Sequence, residues 1–195
     1  MIPLVCWALL AGQRWFSTLD LASGYWQVGM TKRASQRSAF ATPAGLFQFR
    51  VMPFGLCNAP ATFERLMGQV LRGLQWDRCL VYIDDILIFG ETFDSALESL
   101  ESVLDRISQY GLQLKSTKCA LFRTSLPFLG HIVGREGLQC DPEKILAVQS
   151  WKIPGNVREV REFLGFAGYY RSCTSHGVDQ SVGGFCLDWS RTAGF

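Results

Sequence analysis

Three aspartates in apolar surroundings are the residues of this chain best suited to chemistry. Asp20 lies between two leucines, and the pair Asp84 and Asp85 lies between two isoleucines. An unpaired charge in such a strand costs several kcal/mol if it is truly buried. If the two strands are neighbours, the three carboxylates converge at one edge of a sheet, where they repel one another unless cations neutralise them.

Magnesium is the natural partner of such a cluster, because it takes one or two protein carboxylates and completes its shell with water and substrate phosphate. Two ions about 3.5 to 4 Å apart activate an attacking hydroxyl and stabilise the leaving oxygen of an in-line phosphoryl displacement. That chemistry is the chemistry of a polymerase. In the alternative interpretation, Asp84 and Asp85 only supply a turn and Asp20 only caps an element. The three residues alone leave both interpretations open.

The segments around the aspartates have strand and turn character. Leu80–Phe89 is an apolar run of strand length that only the Asp84-Asp85 pair interrupts, which predicts a tight hairpin turn at that pair. Leu19–Met30 predicts the end of a strand and a turn, and Ala39–Met52 predicts a hairpin around its central Pro-Ala-Gly.

Two amphipathic helices are expected beside these strands. The first begins at Asn58, which is placed to cap it, with Pro60 in the first turn, and runs for about four turns. Its apolar residues at helical spacing are Phe63, Leu66, Met67, Val70, Leu71 and Leu74. The second ends at Gly111. Its predicted apolar face consists of Leu97, Leu100, Leu104 and Ile107.

The second half of the chain continues this alternation. Leu121–Phe122 and Pro127–Val133 are predicted strands, with glycines marking a return toward Leu138. Asp141 and Pro142 open a short helix that runs through Ile145 and Val148, and Asn156 with Glu159 resembles a capping box for a last helix containing Val160, Phe163 and Leu164. Arg171–Phe195 has neither period and is expected to be unstructured. The order predicts an α+β fold, with an antiparallel sheet backed by helices.

The amino-acid composition excludes only a few classes of protein. The chain has 195 residues, 48% of them hydrophobic, which suits one well-buried core. The formal net charge of +2 means that any surface for nucleic acid must be local. Seven scattered cysteines without paired spacing indicate a reduced, intracellular protein without structural zinc. The apolar Met1–Gly12 lacks a basic start and is too short to span a bilayer, so no membrane partner is expected.

Five ordered motifs carry a family resemblance. They are FSTLDLASGYWQV (Phe16–Val28), MPFGLCNAPATFERLM (Met52–Met67), YIDD (Tyr82–Asp85), GLQLKSTKC (Gly111–Cys119) and FLGHIV (Phe128–Val133). In order and spacing they resemble the successive palm motifs of reverse transcriptases, above all those of gypsy-type LTR retrotransposons. The segment 141–171 is similar to the connection region of those proteins. The resemblance implies the palm of a right-hand polymerase, with partial fingers and a rudimentary thumb.

The resemblance also implies catalytic roles. Asp20, Asp84 and Asp85 match the metal-binding aspartates, with two Mg²⁺ ions expected, Mn²⁺ as a substitute, and Asp20 and Asp84 as the most direct ligands. Lys118 matches a lysine that is thought to protonate the pyrophosphate leaving group, and a simple surface lysine is the alternative. Tyr25 matches an aromatic that lies beneath the sugar, where its ring would exclude a 2′-hydroxyl, and an ordinary core aromatic is the alternative.

Further residues match binding segments of the family. The turn containing Leu21, Ser23 and Gly24 matches the backbone that approaches the triphosphate, and Phe54 with Gly55 matches the segment beneath the incoming nucleotide. The residues that match the primer grip are Phe128, Leu129, Gly130 and His131. The basic side chains expected to line a template and primer are Lys32, Arg33, Arg37, Lys115, Lys118 and Arg123, although scattered lysines are more often solvent-facing.

The resemblance suggests four regions. These are an N-terminal remnant (1–14), a palm with partial fingers (15–134), thumb-like or connection-like helices (135–171) and a non-matching, disordered tail (172–195). The resemblance begins after the family's finger segment with its triphosphate-gripping lysine and arginine, so that segment is not expected among these residues, and the resemblance ends at Arg171. The expected function is an RNA-directed DNA polymerase fragment of weak or no activity, acting on a primed RNA or DNA template and dNTPs. The alternative is a decayed or domesticated palm that binds RNA or a protein without catalysis.

Overall fold

The computed structural model of the chain describes residues 9–170. Within that range six side chains are not described, those of Leu138, Cys140, Ile145, Gln149, Tyr169 and Tyr170. The chain forms two compact units. The first unit is Gln13–Arg123, and the second contains, among the described residues, 9–12 and 124–170. The four regions that the resemblance suggests stay a prediction.

The first unit is built around the predicted aspartate strands. Its strands are β1 (Trp15–Asp20), β2 (Phe40–Thr42), β3 (Gly45–Phe47), β4 (Cys79–Tyr82), β5 (Asp85–Gly90) and β6 (Ala120–Arg123). Its α-helices are α1 (Lys32–Arg37), α2 (Ala59–Val70) and α3 (Phe93–Gln109). Two short 3₁₀ helices are also present. Gly24–Gln27 comes shortly after β1, and Ser116–Lys118 comes just before β6.

Four strands form one antiparallel sheet in the order β4-β5-β1-β6. Strand β5 is buried along Ile86–Gly90, as its unbroken apolar run predicts for a central strand. Helices α2 and α3 contribute Phe63, Met67, Val103 and Ile107 to one buried cluster with residues of β1 and β5. The sheet therefore has a helical layer packed against it. The predicted α+β class is confirmed.

The predicted helices form, with corrections. Helix α2 has 12 residues, which is nearer three turns than four, and Asn58 holds the N-cap position without a side-chain capping bond. The residues that helix α3 buries are Ala96, Ser99, Leu100, Val103 and Ile107. The predicted apolar face was therefore partly wrong. Leu97 and Leu104 are exposed. The smaller Ala96 and Val103 fit close against the sheet in place of the large leucines.

The hairpins also differ in detail from the sequence prediction. The hairpin β2–β3 forms as expected, with all six of its residues exposed. The tight turn of the β4–β5 hairpin is Ile83–Asp84, and Asp85 is already the first residue of β5. The prediction that Asp84 and Asp85 are both turn residues was therefore wrong by one position. Ile83 takes a positive φ of 56°.

The second unit contains a three-stranded antiparallel sheet and two helices. The strands are β7 (Ser125–Phe128), β8 (His131–Gly134) and β9 (Gly137–Cys140), in that order. The helices are α4 (Pro142–Gln149) and α5 (Val157–Tyr170). The single strand predicted over Pro127–Val133 is in fact a hairpin, because Leu129 and Gly130 both take positive φ and reverse the chain.

The predicted helix starts of the second unit are present. The Asp141 side chain accepts a hydrogen bond from the Glu143 amide at the start of α4. The Asn156 side chain accepts one from the Glu159 amide, and Glu159 bonds back to the Asn156 side chain and to the Gly155 amide. This is a variant of the capping box, since the reciprocal bond of that motif goes to the backbone of the cap residue itself.

The remaining predictions concern membrane spans, cysteines and the two ends of the chain. Among residues 9–170, no helix is both long and apolar enough to cross a bilayer. Cys57, Cys79 and Cys119 are free thiols, and burial raises the pKa of Cys79 to about 12. The predicted unstructured segment Arg171–Phe195 and most of Met1–Gly12 lie outside the described residues.

Candidate active site

The register of the central sheet brings the early aspartate to the later pair. Asp20, the last residue of β1, is the direct partner of Asp85, the first residue of β5. Side chains of directly opposed residues lie on the same face, with Cβ atoms about 4.5 to 5.5 Å apart. The Leu21 amide donates to the Asp84 carbonyl at 3.4 Å, so the chain after β1 also passes close to the turn. The three aspartates therefore meet at one end of the sheet.

Mutual repulsion is visible at Asp85. Burial is the main cause that raises the pKa of the Asp85 carboxyl, and the charges of Asp84 and Asp20 raise it further. Lys118 opposes this shift by a smaller amount. A site with three carboxylates and one ammonium group has an excess of negative charge, and a cation would relieve it.

Lys118 is the cation that the fold itself supplies. Its Nζ donates to Asp20 Oδ2 at 2.9 Å. The hydrogen bond to Asp20 is the main cause that raises the pKa of Lys118, and the charges of Asp84 and Asp85 add to it. Although 57% of the Lys118 side chain is exposed, its ammonium group is directed to the aspartates.

The carboxylates suit a hard divalent ion by chemistry, but they do not form a ready cage. Across residues 9–170 no group of three His, Cys, Asp or Glu side chains has the arrangement to hold one metal ion. Magnesium is usually held by one or two carboxylates rather than by a cage made only of protein ligands. A pair of aspartates such as Asp20 and Asp84 therefore fits the ion's needs, and metal binding itself stays a prediction.

The predicted nucleotide-binding turn follows β1 directly. Leu21 is buried, Ser23 takes a positive φ of 51°, and Gly24 begins the 3₁₀ helix. A Cβ on Gly24 would lie 2.7 Å from Cζ of the fully buried Phe63 ring. Packing against α2 thus gives a reason for glycine that is separate from the close approach of a phosphate that the resemblance implies.

Tyr25 is supported by two other rings. Its ring centroid lies 5.2 Å from that of Phe54 and 5.4 Å from that of Phe63, the latter edge to face. Burial raises the pKa of Tyr25, and the charge of Asp84 raises it further, which places the phenol within electrostatic reach of Asp84. Phe54 is exposed, and Gly55 takes a positive φ of 88°.

The predicted primer-grip residues lie in the second unit. Phe128 and His131 are paired across the β7–β8 hairpin, and Leu129 and Gly130 form its turn. His131 is buried, with 3% exposure, and burial lowers its pKa. The four residues are thus one hairpin tip.

The predicted basic residues differ in position. Lys32, Arg33 and Arg37 are exposed on α1. Lys115, Lys118 and Arg123 lie in or beside the Ser116–Lys118 turn and β6, and they are also exposed. Sequence reasoning missed Gln27, whose side chain bonds to the main chain of Ala22 and Gln113. Nothing in the sequence pattern could have paired positions 86 residues apart.

Comparison with known families gives one consistent result. Residues 4–133 match the family model described as "Reverse transcriptase (RNA-dependent DNA polymerase)". Similar curated proteins include Retrovirus-related Pol polyproteins of Drosophila melanogaster. The one from transposon 297 is 42% identical over 81% of this chain, and the one from transposon gypsy is 36% identical over 87%. The chain spans only 15% and 16% of those polyproteins.

Solved structures agree. A foamy viral protease-reverse transcriptase in complex with double-stranded DNA matches with a TM-score of 0.74 and 28% identity, over 82% of this chain and 28% of that one. The corresponding protein in complex with an RNA/DNA hybrid matches with a TM-score of 0.73 and 28% identity, over 86% of this chain and 22% of that one. The sheet that carries the three aspartates is thus the fold of a polymerase palm, and the chain belongs to the reverse transcriptase family.

Proposed function

We propose that this chain carries the catalytic centre of an RNA-directed DNA polymerase, which adds deoxynucleotides to a primer 3′-hydroxyl by two-metal catalysis. The observation that supports this most directly is the pairing of Asp20 with Asp85 beside Asp84, in a chain of the reverse transcriptase family. An intracellular place of action goes with the proposal, because dNTPs are found inside cells.

The aspartates would hold the divalent ions. Asp20 and Asp84 are the proposed direct ligands of two Mg²⁺ ions, for which Mn²⁺ is a chemical substitute. When bound, the ions supply activation of the primer hydroxyl and charge neutralisation at the transferred phosphorus. Asp85 adds negative charge beside them. Burial is the main cause of its raised pKa, and a bound cation would offset the smaller contribution from the charges of Asp84 and Asp20.

Lys118 is the proposed proton donor to the leaving pyrophosphate. Its ammonium group is held 2.9 Å from Asp20 Oδ2, on the carboxylate that would hold the metal. A lysine ammonium is protonated at neutral pH, as a general acid must be before it acts. A change of partner, from Asp20 to a leaving oxygen, would accompany nucleotide binding.

The turn after β1 is the proposed nucleotide-binding segment. Main-chain groups of Ser23 and Gly24 would face the triphosphate, and Phe54 with Gly55 would lie beneath the base. Tyr25 would lie under the sugar, where two neighbouring rings restrict its movement. A fixed ring at that position would clash with a 2′-hydroxyl and so select deoxynucleotides.

A primed RNA or DNA template is the proposed macromolecular partner. Between Asp20 and Glu64 the chain has four basic residues and no acidic one. Aromatic rings of this stretch form a connected series with centroid separations of 5.2 to 6.4 Å, which runs through Tyr25, Phe54, Trp26, Phe49, Phe40 and Phe47. Trp26, Phe40, Phe47 and Phe54 are exposed, and the other two rings are partly buried. Positive charge with exposed rings suits unpaired bases and their phosphates. The β7–β8 tip is proposed as the primer grip.

The test is primer extension by the purified chain on a primed RNA template with dNTPs and Mg²⁺. Asp84→Asn keeps the shape of the side chain but removes a metal-binding charge, and we expect extension to fall by at least about a thousandfold. The matched control is Asp105→Asn, which changes an exposed aspartate of α3 and should leave extension intact. Equal extension by wild type and Asp84→Asn would exclude metal catalysis at this site.

A second candidate function is nucleic-acid binding without catalysis. The observation in its favour is the ion pair of Lys118 with Asp20, which already neutralises one of the proposed ligands. In that case the wild-type chain would bind a single-stranded oligonucleotide, with tryptophan fluorescence reporting the contact, yet would extend no primer in Mg²⁺ or Mn²⁺. Extension above the Asp84→Asn background would decide against it.

A further inference from the structure

The side chain of Gln27 makes three hydrogen bonds to main-chain groups. Its Nε2 donates to the Ala22 carbonyl at 2.6 Å and to the Gln113 carbonyl at 3.0 Å. Its Oε1 accepts from the Gln113 amide at 2.7 Å. Both donor hydrogens and the acceptor of the amide group are thus engaged. Glutamate could not replace it, because a carboxylate has no hydrogen to donate to the two carbonyls.

These bonds connect two segments of the proposed active centre. Gln27 is the last residue of the 3₁₀ helix Gly24–Gln27, the turn that bears Tyr25. Gln113 lies five residues before Lys118, in the segment that leads to the Ser116–Lys118 turn. A single side chain therefore links the proposed nucleotide-binding turn to the segment that presents the proposed proton donor.

The backbone around Gln27 shows why a link at this place matters. The Ala22 amide donates to the Gln113 carbonyl at 2.9 Å, and the Lys115 amide donates to the Asp20 carbonyl at 2.9 Å. Outside the named strands, these bonds and one bridge between Leu21 and Leu114 join the two segments. A ladder this short is easily opened, and the side-chain amide adds three bonds at its end.

We propose that Gln27 is a positioning residue that holds the segment Gln113–Lys118 beside the turn Ala22–Tyr25, so that Lys118 meets Asp20 in fixed geometry. The kinetic part of this proposal rests on the proposed polymerase function, whereas the structural part does not. Gln27 acts through Lys118 and the turn, and it touches no reacting atom.

The structural part is tested by amide hydrogen exchange, which needs no polymerase activity. In Gln27→Met, which keeps length but loses all three bonds, the amides of Ala22, Gln113 and Lys115 should exchange about tenfold faster or more. Amides in β4 and β5 should keep their rates. The matched control is Gln109→Met at the exposed end of α3, where no change is expected. If Gln27→Met folds poorly, Gln27→Glu replaces it, since that variant keeps the acceptor and loses both donations.

Two results would overturn the structural part. Unchanged exchange at Ala22 and Lys115 would mean that the three bonds hold nothing in place. Equal acceleration across β4, β5 and this ladder would mean that Gln27 only contributes to global stability.

The kinetic part is tested by steady-state primer extension with Gln27→Met and Gln27→Glu. The KM for dNTP should rise about tenfold, because the nucleotide-binding turn loses its link to the segment Gln113–Lys118. A fall in kcat alone, with unchanged KM, is what a smaller folded fraction produces, and it would overturn this part. If the wild-type chain extends no primer, the proposed function fails, and the exchange experiment still decides whether Gln27 holds the ladder.

Discussion

Two hairpins of this chain reverse direction in two residues, and they meet the demands of such a turn in different ways. The β4–β5 turn is Ile83–Asp84, in which Ile83 takes a φ of 56°. The β7–β8 turn is Leu129–Gly130, in which both residues take positive φ, at 51° and 75°. Two positive φ values are typical of the hairpin turns that favour glycine in second place. The second turn has that glycine, whereas the first holds a β-branched residue in a conformation that such residues rarely adopt.

The charges beside the two turns differ as well. Asp85, next to the first turn, has a pKa that burial, Asp84 and Asp20 all raise. His131, next to the second, is buried, and burial lowers its pKa. In the β4–β5 hairpin, the fold thus disfavours the charged form of Asp85. In the β7–β8 hairpin, burial favours the neutral form of His131. Strain and crowded carboxylates at a turn are expected where chemistry, rather than stability, fixes the residues.

The largest effect that separates the two turns is expected at Gly130. Gly130→Ala puts a side chain at a φ of 75°, and we expect a loss of about 1 to 2 kcal/mol in the free energy of unfolding. The control is Gly134→Ala in β8, where the new Cβ meets Ser125 at an ordinary 3.4 Å and no positive φ is involved. Urea denaturation of both variants is the measurement. Equal losses would show that the turn conformation is not what requires glycine.

The sequence predicted most elements of the fold, because periodicity records which face is buried. The run Leu80–Phe89 predicted both strands of the β4–β5 hairpin, and the Asp141-Pro142 start predicted α4. Periodicity failed where side-chain size decided the contact. In α3 the sheet accepts Ala96 and Val103, and the larger Leu97 and Leu104 remain exposed. It failed again at Leu129, because a leucine with positive φ gives no turn signal.

For the candidate site, the sequence predicted the charged residues but not the contacts that depend on packing. The three aspartates are visible in the sequence because charges in apolar strands are unusual, and the register then places Asp20 opposite Asp85. The contact of Gly24 with Phe63 depends on how α2 packs, which no local pattern records. Gln27 is an ordinary glutamine in the sequence, and only the fold brings it to Gln113.

A smaller effect is expected from removing the β-branch at the first turn. Ile83→Met keeps an apolar side chain at the edge of the core and relieves the crowding at positive φ, so the free energy of unfolding should rise on the order of 0.5 kcal/mol. The control is Ile132→Met in β8, an extended position that favours β-branching, where a small loss is expected. Thermal melts of both variants give the signs. A loss at Ile83 as large as at Ile132 would refute strain at the aspartate turn.

The smallest effect is a difference in pH dependence between the two hairpins. Asp85 has a folded pKa above 3.8, so its folded state binds the proton more tightly and the hairpin is stabilised as pH falls through that raised pKa toward 3.8. His131 has a folded pKa below 6.5, so its contribution to stability is present above pH 6.5 and is lost as pH falls below it. Acidification should therefore strengthen one hairpin and weaken the other.

Single variants separate the two contributions. At pH 7, Asp85→Asn should raise the free energy of unfolding on the order of 0.5 kcal/mol, a figure that allows for solvent screening of a half-exposed group, while lowering primer extension. His131→Gln should flatten the loss of stability between pH 6.5 and 5. Amide exchange in β4–β5 and in β7–β8, followed from pH 7 to pH 4.5 and corrected for intrinsic rates, resolves each hairpin separately. If Asp85→Asn destabilises the β4–β5 hairpin at pH 7, then the carboxylate is a stabilising element of the fold, and the contrast between a chemical turn and a structural turn disappears.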